Sequence, residues 1–330
     1  MLLDHARELK SSLLSAFETK IEAPAAIRSL GIRTQALGSE DDALRSFAIG
    51  IAKAKKEHVL AVRVQRRSLL DHPMLETIKK RTKGEIDVRY VGKISKLETP
   101  TTLQKKRRPL VIGCSIGHFK ITAGTLGCFV KSRTSQKTMI LSNNHVLANE
   151  NKARAGDAIL QPGNFDGGTA QDAIAKLSRF IKLKKTAVNF VDCAIAEPSA
   201  GITFNPKKLG SFGNLLGLGP DTLDEGTAVR KVGRTTGETQ GNVTAFELDN
   251  VVVAYDLGNL RFDNQVEIEG SGESSFSDGG DSGSLIVNSD NLGVALLFAG
   301  GDTGGTNNMG LTYANPLKTV LDALSVDLVF

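Results

Sequence analysis

The chain of 330 residues has no tryptophan, three cysteines and five histidines, and only 5% of it is aromatic. Each shortage closes off a class of protein. Three cysteines are an odd, sparse set that cannot build a disulfide framework, and Cys114, Cys128 and Cys193 each sit in an apolar segment. They read as buried, reduced thiols of a cytoplasmic protein. No apolar run reaches the roughly 18 residues that a membrane helix needs. The opening "MLLDHARELK" puts Asp4, His5, Arg7 and Glu8 where a signal peptide requires an apolar core. The formal net charge is +5 and the pI about 9.0. The basic clusters, "QKKRRP" at 104–109 and "KLKK" at 182–185, are short and carry no interleaved aromatics for base stacking, so they read as surface or linker and argue against a nucleic-acid partner. Internal repeats and low-complexity tracts are missing, and nothing in the sequence asks for a cofactor or a metal.

What is present is ordinary in bulk, 40% hydrophobic and 23% charged, and long enough for two domains. Residues 1–24 carry a helix, since Leu3, Ala6, Leu9, Leu13, Leu14 and Phe17 lie close to helical spacing. Residues 25–95 form a small α/β unit. "SFAIGIAKA" and "VLAVRVQR" are strand-like around the polar turn "KKEH". "DHPMLETIKKRTKG" is a helix with Asp71 as its cap, Pro73 in the first turn and Gly84 ending it, and "EIDVRYVGKI" alternates as a third strand. A polar, basic linker follows at 96–108. From 109 to 330 the chain is mainly β: short apolar runs punctuated by glycine, as in a barrel or sandwich, closed by a short helix at 315–324.

One stretch in that half, "DGGDSGSLIV" at 278–287, surrounds Ser282 with Gly279, Gly280 and Gly283. A glycine turn feeding a strand explains it blandly. A nucleophile flanked by bare backbone N–H groups explains it more sharply, but needs a base and an orienting acid elsewhere. His145 ends the strand-like "TMILSNNHVL". Asp192 lies in "NFVDCAIAEP", flanked by Val191, Cys193, Ala194 and Ile195. A carboxylate among apolar neighbours must be hydrogen-bonded, and an imidazole N–H would serve. The order is His145, Asp192, Ser282, which is the order His–Asp–Ser of the chymotrypsin fold rather than that of subtilisins or α/β-hydrolases. The hydrolase elbow G-x-S-x-G also fails, because position 284 is serine. Asp166 and Asp172 are the remaining candidates for the acid, in a glycine-rich, polar context that reads as a surface loop.

"SNNHVL", "VDCAIA", "GDSGS" and "GRTTG" occur in this order, and together they make residues 110–325 similar to a trypsin-like (chymotrypsin-fold) serine peptidase. More narrowly, "TAGTLG", "LSNNHVLANEN", "GDSGSLIV" and "LLFAGG" resemble a bacterial group related to the plant narrow-leaf protein, whose members also carry a small unit before the peptidase region. The resemblance implies two β-barrels with the site between them, a protein or peptide substrate, and a serine endopeptidase working through an acyl-enzyme. It implies His145, Asp192 and Ser282 as the catalytic residues and the N–H groups of Gly280 and Ser282 as the oxyanion hole. It implies a buried cation for Asp281, which Lys231 matches by position, with Arg230 and Arg234 close by. Phe276, Phe298 and Gly300 become the candidates for the specificity pocket. Phe276 stands where trypsins carry an acid, so specificity for basic residues is not implied. The dibasic Arg107-Arg108 precedes Pro109, a poor context for activating cleavage. The alternative reading is a peptidase-fold module that binds peptides or scaffolds an assembly with little or no turnover. The sequence leaves homo-oligomerisation and the role of residues 1–95 open.

Overall fold

The computed structural model describes residues 1–28, 46–54, 57–91, 102–272, 274–301 and 303–330, with backbone only for 17–28 and 102. The protein is mainly β. Strands Ala228–Gly233, Leu285–Asn288, Leu292–Gly300, Leu311–Pro316, Gln265–Gly270 and Gly237–Asp249 pair in that order, and the last pairs back to the first. This ring is a closed six-stranded barrel. The other body, the first in chain order, is built from seven strands between residues 115 and 198 and takes an eighth, the edge strand Val326–Leu328, from the C-terminus. That strand pairs with Cys128–Ser132, so the chain end ties the two bodies together. The helix before it spans Leu317–Ala323, close to expectation. Its Leu317, Val320 and Leu321 join the apolar cluster of Cys128, Leu141, Cys193, Leu285 and Leu296, drawn from both bodies.

The N-terminal helix runs Leu3–Arg28, past the expected end at 24. The β-β-α-β unit is present as strands Phe47–Ala54 and Glu57–Val64, helix Pro73–Arg81 and strand Ile86–Tyr90. Its helix is capped one residue later than expected: the His72 ring nitrogen accepts Met74 N–H at 3.2 Å, which frees Asp71 from that role. Proline at the first helical position needs no N–H bond there, which suits the start. The unit does not stand apart. Phe47–Ala54 pairs antiparallel with Gly237–Asp249, so the barrel's sheet runs on into it. Arg63, fully buried, crosses the seam to Glu267 at 2.7 Å and pairs within its own unit with Asp87 at 2.9 Å. Thr244 and Tyr313 also donate to the Glu267 carboxylate. Half of the expected linker lies outside the described residues. The rest rests on the first body, where Gln161 bonds Lys105 O and Arg107 N, and Lys106 pairs with Asp172 at 2.6 Å.

Two features of this packing are testable. Glu225 sits beside the seam, with burial and the Asp87 charge pushing its carboxyl up to about 7 against the pull of Arg89 and Arg63. A carboxyl raised above its unfolded value favours the folded state most below pH ~4.5 and loses that contribution as pH rises through ~7. Glu225→Gln should therefore stabilise the protein by about 1–3 kcal/mol at pH 8.5 and leave it little changed at pH 4.5. Denaturant melts at the two pH values check this, and equal effects at both would refute it. The three thiols are buried and unpaired. Burial raises Cys114 to about 11 and pushes the Cys128 and Cys193 thiols well up too. Thiolates are the reactive form, so the native protein should resist thiol reagents and its melting temperature should not move with reductant. A drop with reductant would mean a bridge.

Candidate active site

The strand Thr138–Ser142 delivers Asn143 and a single helical turn, Asn144–Leu147. His145 thus sits in that turn, just past the strand that was expected to end on it. Asp192 lies under the turn, two residues before strand Ala194–Pro198, with no exposure to solvent. One carboxylate oxygen, Oδ1, accepts the backbone N–H of Asn144 at 2.6 Å and of His145 at 3.3 Å. The other, Oδ2, lies 2.6 Å from His145 Nδ1. An ionised carboxylate can only accept, which fixes the proton on Nδ1 and leaves Nε2 as the free base. The backbone of Asp192 is held as well. Its carbonyl accepts Asn143 Nδ2 at 2.7 Å, and its N–H donates to Asn315 Oδ1 at 2.9 Å.

Ser282 stands on the turn between Gly280 and Gly283, whose φ angles are +87° and +93°. Both are left-handed values that favour glycine. A Cβ on Gly283 would fall 2.1 Å from Ser142 Oγ and 2.5 Å from Thr125 O, so the serine turn presses on the first body through bare backbone. Ser282 and His145 line one cleft of about 650 Å³, together with Tyr255, Phe298 and Gly300. The carbonyl of Gly279 accepts Thr235 Oγ1 and that of Gly280 accepts Thr125 Oγ1 at 2.8 Å. The first of these bonds fixes the peptide that carries the Gly280 N–H; the Ser282 N–H shares its peptide with the Asp281 carbonyl, which accepts the N–H and hydroxyl of Ser284. Among the described residues, the N–H groups of Gly280 and Ser282 donate to no protein acceptor. Two backbone donors left unpaired beside a serine hydroxyl can receive an anionic oxygen.

Asp281 is buried behind this loop. Its oxygens accept Thr235 N, Thr236 N, Thr236 Oγ1 and Asp278 N, and Lys231 Nζ lies 3.2 Å away. Burial lowers the Lys231 pKa, and the Asp281 charge opposes that shift. Gly233 makes room, since a Cβ there would fall 2.4 Å from Asp281 Oδ1. Strand alternation sends Arg230 the other way, to Ser289 O and the face of Phe212. Arg234 is buried too. It pairs with Asp166 at 2.5 Å and donates to Thr235 Oγ1 at 3.2 Å, directly against Gly280. Asp166 is therefore no free surface acid: it joins the first body to the loop that carries Ser282. Asp172 closes its own turn with Thr169 and pairs with Lys106, which holds its carboxyl down at about 2.

The pocket candidates divide. Phe298 and Gly300 line the cleft. Phe276 does not: it is buried in the barrel core, with Lys231 Nζ 5.9 Å above its ring. A large apolar ring gains more from that core than from a water-filled cleft. Ser277, next to it, faces the cleft instead, 2.6 Å from Thr312 Oγ1. Sequence reasoning missed Tyr255, whose hydroxyl donates to Asp192 Oδ2 at 2.6 Å. Its only signal was a tyrosine, one of three, closing the apolar run "VVVAY" before a turn. Among the described residues no cluster of His, Cys, Asp or Glu is arranged to hold a metal.

No protein-family model and no curated protein matches the chain. Solved structures do. Thermobifida fusca Protease A matches at 16% identity over 66% of this chain and 97% of that one, with a TM-score of 0.46. A glutamic-acid-specific serine protease described as using a histidine triad in substrate binding matches at 19% over 67% and 100%, with a TM-score of 0.48. Nocardiopsis Protease matches at 16% over 67% and 98%, with a TM-score of 0.47.

The cation behind the serine loop makes a structural prediction. Removing one partner of a buried pair costs about 3–5 kcal/mol. Lys231→Met should lower stability by that order and speed amide exchange across 278–283. Arg234→Met should loosen the same loop, whereas Arg230→Ala should stay within about 0.5 kcal/mol. Unchanged exchange at 278–283 in Lys231→Met would remove the pair from this role.

Proposed function

We propose that the protein is a serine endopeptidase of the trypsin-like kind, cutting peptide bonds through His145, Asp192 and Ser282. The observation that carries this is the fully buried carboxylate of Asp192, 2.6 Å from His145 Nδ1, with His145 and Ser282 on one cleft between two β-bodies. Ser282 Oγ attacks the scissile carbonyl as His145 Nε2 removes its proton. The imidazolium then protonates the leaving amine, and water repeats the sequence on the acyl-enzyme. Asp192 keeps the tautomer and stabilises the imidazolium. The N–H groups of Gly280 and Ser282 receive the oxyanion, each worth about 2.7–4 kcal/mol in such sites. Because Lys231 lies beside Asp281 within the chain, the reading needs no new amine from cleavage.

The motifs quoted above favour the bacterial group related to the plant narrow-leaf protein. Three unpaired thiols favour a reducing compartment such as the cytoplasm. Among the described residues no helix is long and apolar enough to cross a membrane.

A fluorophosphonate probe on intact, mass-verified protein tests the proposal. It should label Ser282 without loss of residues 1–108. Ser282→Ala and His145→Ala should each cut labelling and turnover by at least about a thousandfold with the fold retained. Absence of labelling in the folded wild type favours the binding or scaffolding alternative. Labelling only of a chain beginning near residue 109 makes the protein a zymogen.

A further inference from the structure

Asp192 has more donors than a His145 partner requires, and one of them comes from across the cleft. Tyr255 ends strand Val251–Tyr255, half of a hairpin with Gly258–Phe262 that leaves the closed barrel between two of its strands. The hairpin tip is gripped by the segment that follows His145. Glu150 accepts the N–H of Asp256 at 3.2 Å and of Leu257 at 3.0 Å, and Lys152 pairs with Asp256 at 3.2 Å. The Tyr255 ring stacks on Phe262 at 6.0 Å and meets the His145 ring nearly edge-on, 5.8 Å away at 72°. Packed this way, the ring aims its hydroxyl at Asp192 Oδ2, the same oxygen that faces the imidazole.

We infer that Tyr255 is a positioning residue which, by sharing Asp192 Oδ2 with His145, sets how tightly the imidazole holds its proton. The inference rests on the reading of His145 as general base. Burial and the Asp192 charge push the phenol well above its ordinary range, so it stays a neutral donor while a histidine titrates. A hydrogen bond to the carboxylate draws off part of the negative charge that stabilises an imidazolium. Without that donor the carboxylate would hold the imidazolium more tightly, and the free base would appear only at higher pH. Other charged groups facing His145 are Glu150, Asp256, Lys120 and Asp278 on the cleft walls. All four lie in or beside the cleft, so their effects, unlike that of Tyr255, should weaken with salt.

The test is an NMR titration of the His145 ring nitrogens in full-length wild type and Tyr255→Phe, beside the pH profile of fluorophosphonate labelling. Tyr255→Phe should raise the His145 pKa by roughly half a unit to one unit, and move the acidic limb of labelling up by the same amount. In an Asp192→Asn background the same change should have no effect on His145. Should Tyr255→Phe fail to fold, site-specific 3-fluorotyrosine at 255, a stronger donor, should move the pKa the opposite way. A pKa that stays put in a folded variant, or a uniform loss of labelling with an unmoved limb, makes Tyr255 structural only and overturns the inference. A shifted pKa in a protein that never labels would sustain the inference about Tyr255 and sink the peptidase reading.

Discussion

A carboxylate that water cannot reach must be surrounded by donors, and Asp192 is that carboxylate here. Meeting its demand organises the site. One oxygen takes the backbone of the turn that carries His145, and the other takes the imidazole and the Tyr255 hydroxyl. Asn143 and Asn315 hold its own peptide groups, and Asn315 is in turn held to Gln265 at 2.6 Å. Asn315, Gln265 and Tyr255 belong to the second half of the chain, whereas His145 belongs to the first. Placing one buried charge therefore aligns two bodies that are far apart in sequence.

Asp281 repeats the device on the other side of the cleft with a different solution. Four hydrogen bonds and one ammonium surround it, all but one from the segment 231–236. That segment also supplies Thr235, which turns the Gly279 carbonyl away from the cleft. Arg234 then carries the arrangement back to Asp166 on the first body. "RKVGRTTG" thus gives one cation to the carboxylate and another to the inter-body contact, while strand alternation keeps Arg230 outside.

Much of this could be read from the sequence, for reasons that differ by residue. Asp192 stood out because an acid inside "VDCAIA" contradicts its neighbours, and Ser282 because three glycines crowd around it. The small unit was legible because alternation and the Pro73 start are local signals. Tyr255 was not legible, because its partner lies 63 positions away and nothing in "VVVAYDL" marks a hydroxyl that crosses a cleft. Phe276 misled because position relative to Ser282 does not fix which way a strand-end side chain points: Ser277 took the cleft and the ring took the core. Asp166 misled because glycine- and polar-rich context suggests solvent, while its actual partner, Arg234, is buried. The seam between the small unit and the barrel was invisible for the same reason. It depends on Arg63 meeting Glu267, 204 positions apart.

The continuity of the sheet carries a consequence for how the chain can be divided. Strand Gly237–Asp249 closes the barrel with one part of its length and receives Phe47–Ala54 along another. Ala245, Phe246 and Leu248 are covered by Ala52, Ile51 and Ala48 of that strand, and the N-terminal helix clamps its far end through Arg7 and Lys10 to Glu247 and Asp249. Cutting the chain ahead of the barrels would bare a run of unpaired backbone beside an apolar strip, the kind of edge along which proteins join one another into aggregates. The helix and strand ahead of the barrel are, in physical terms, the selvedge that keeps the fabric from fraying.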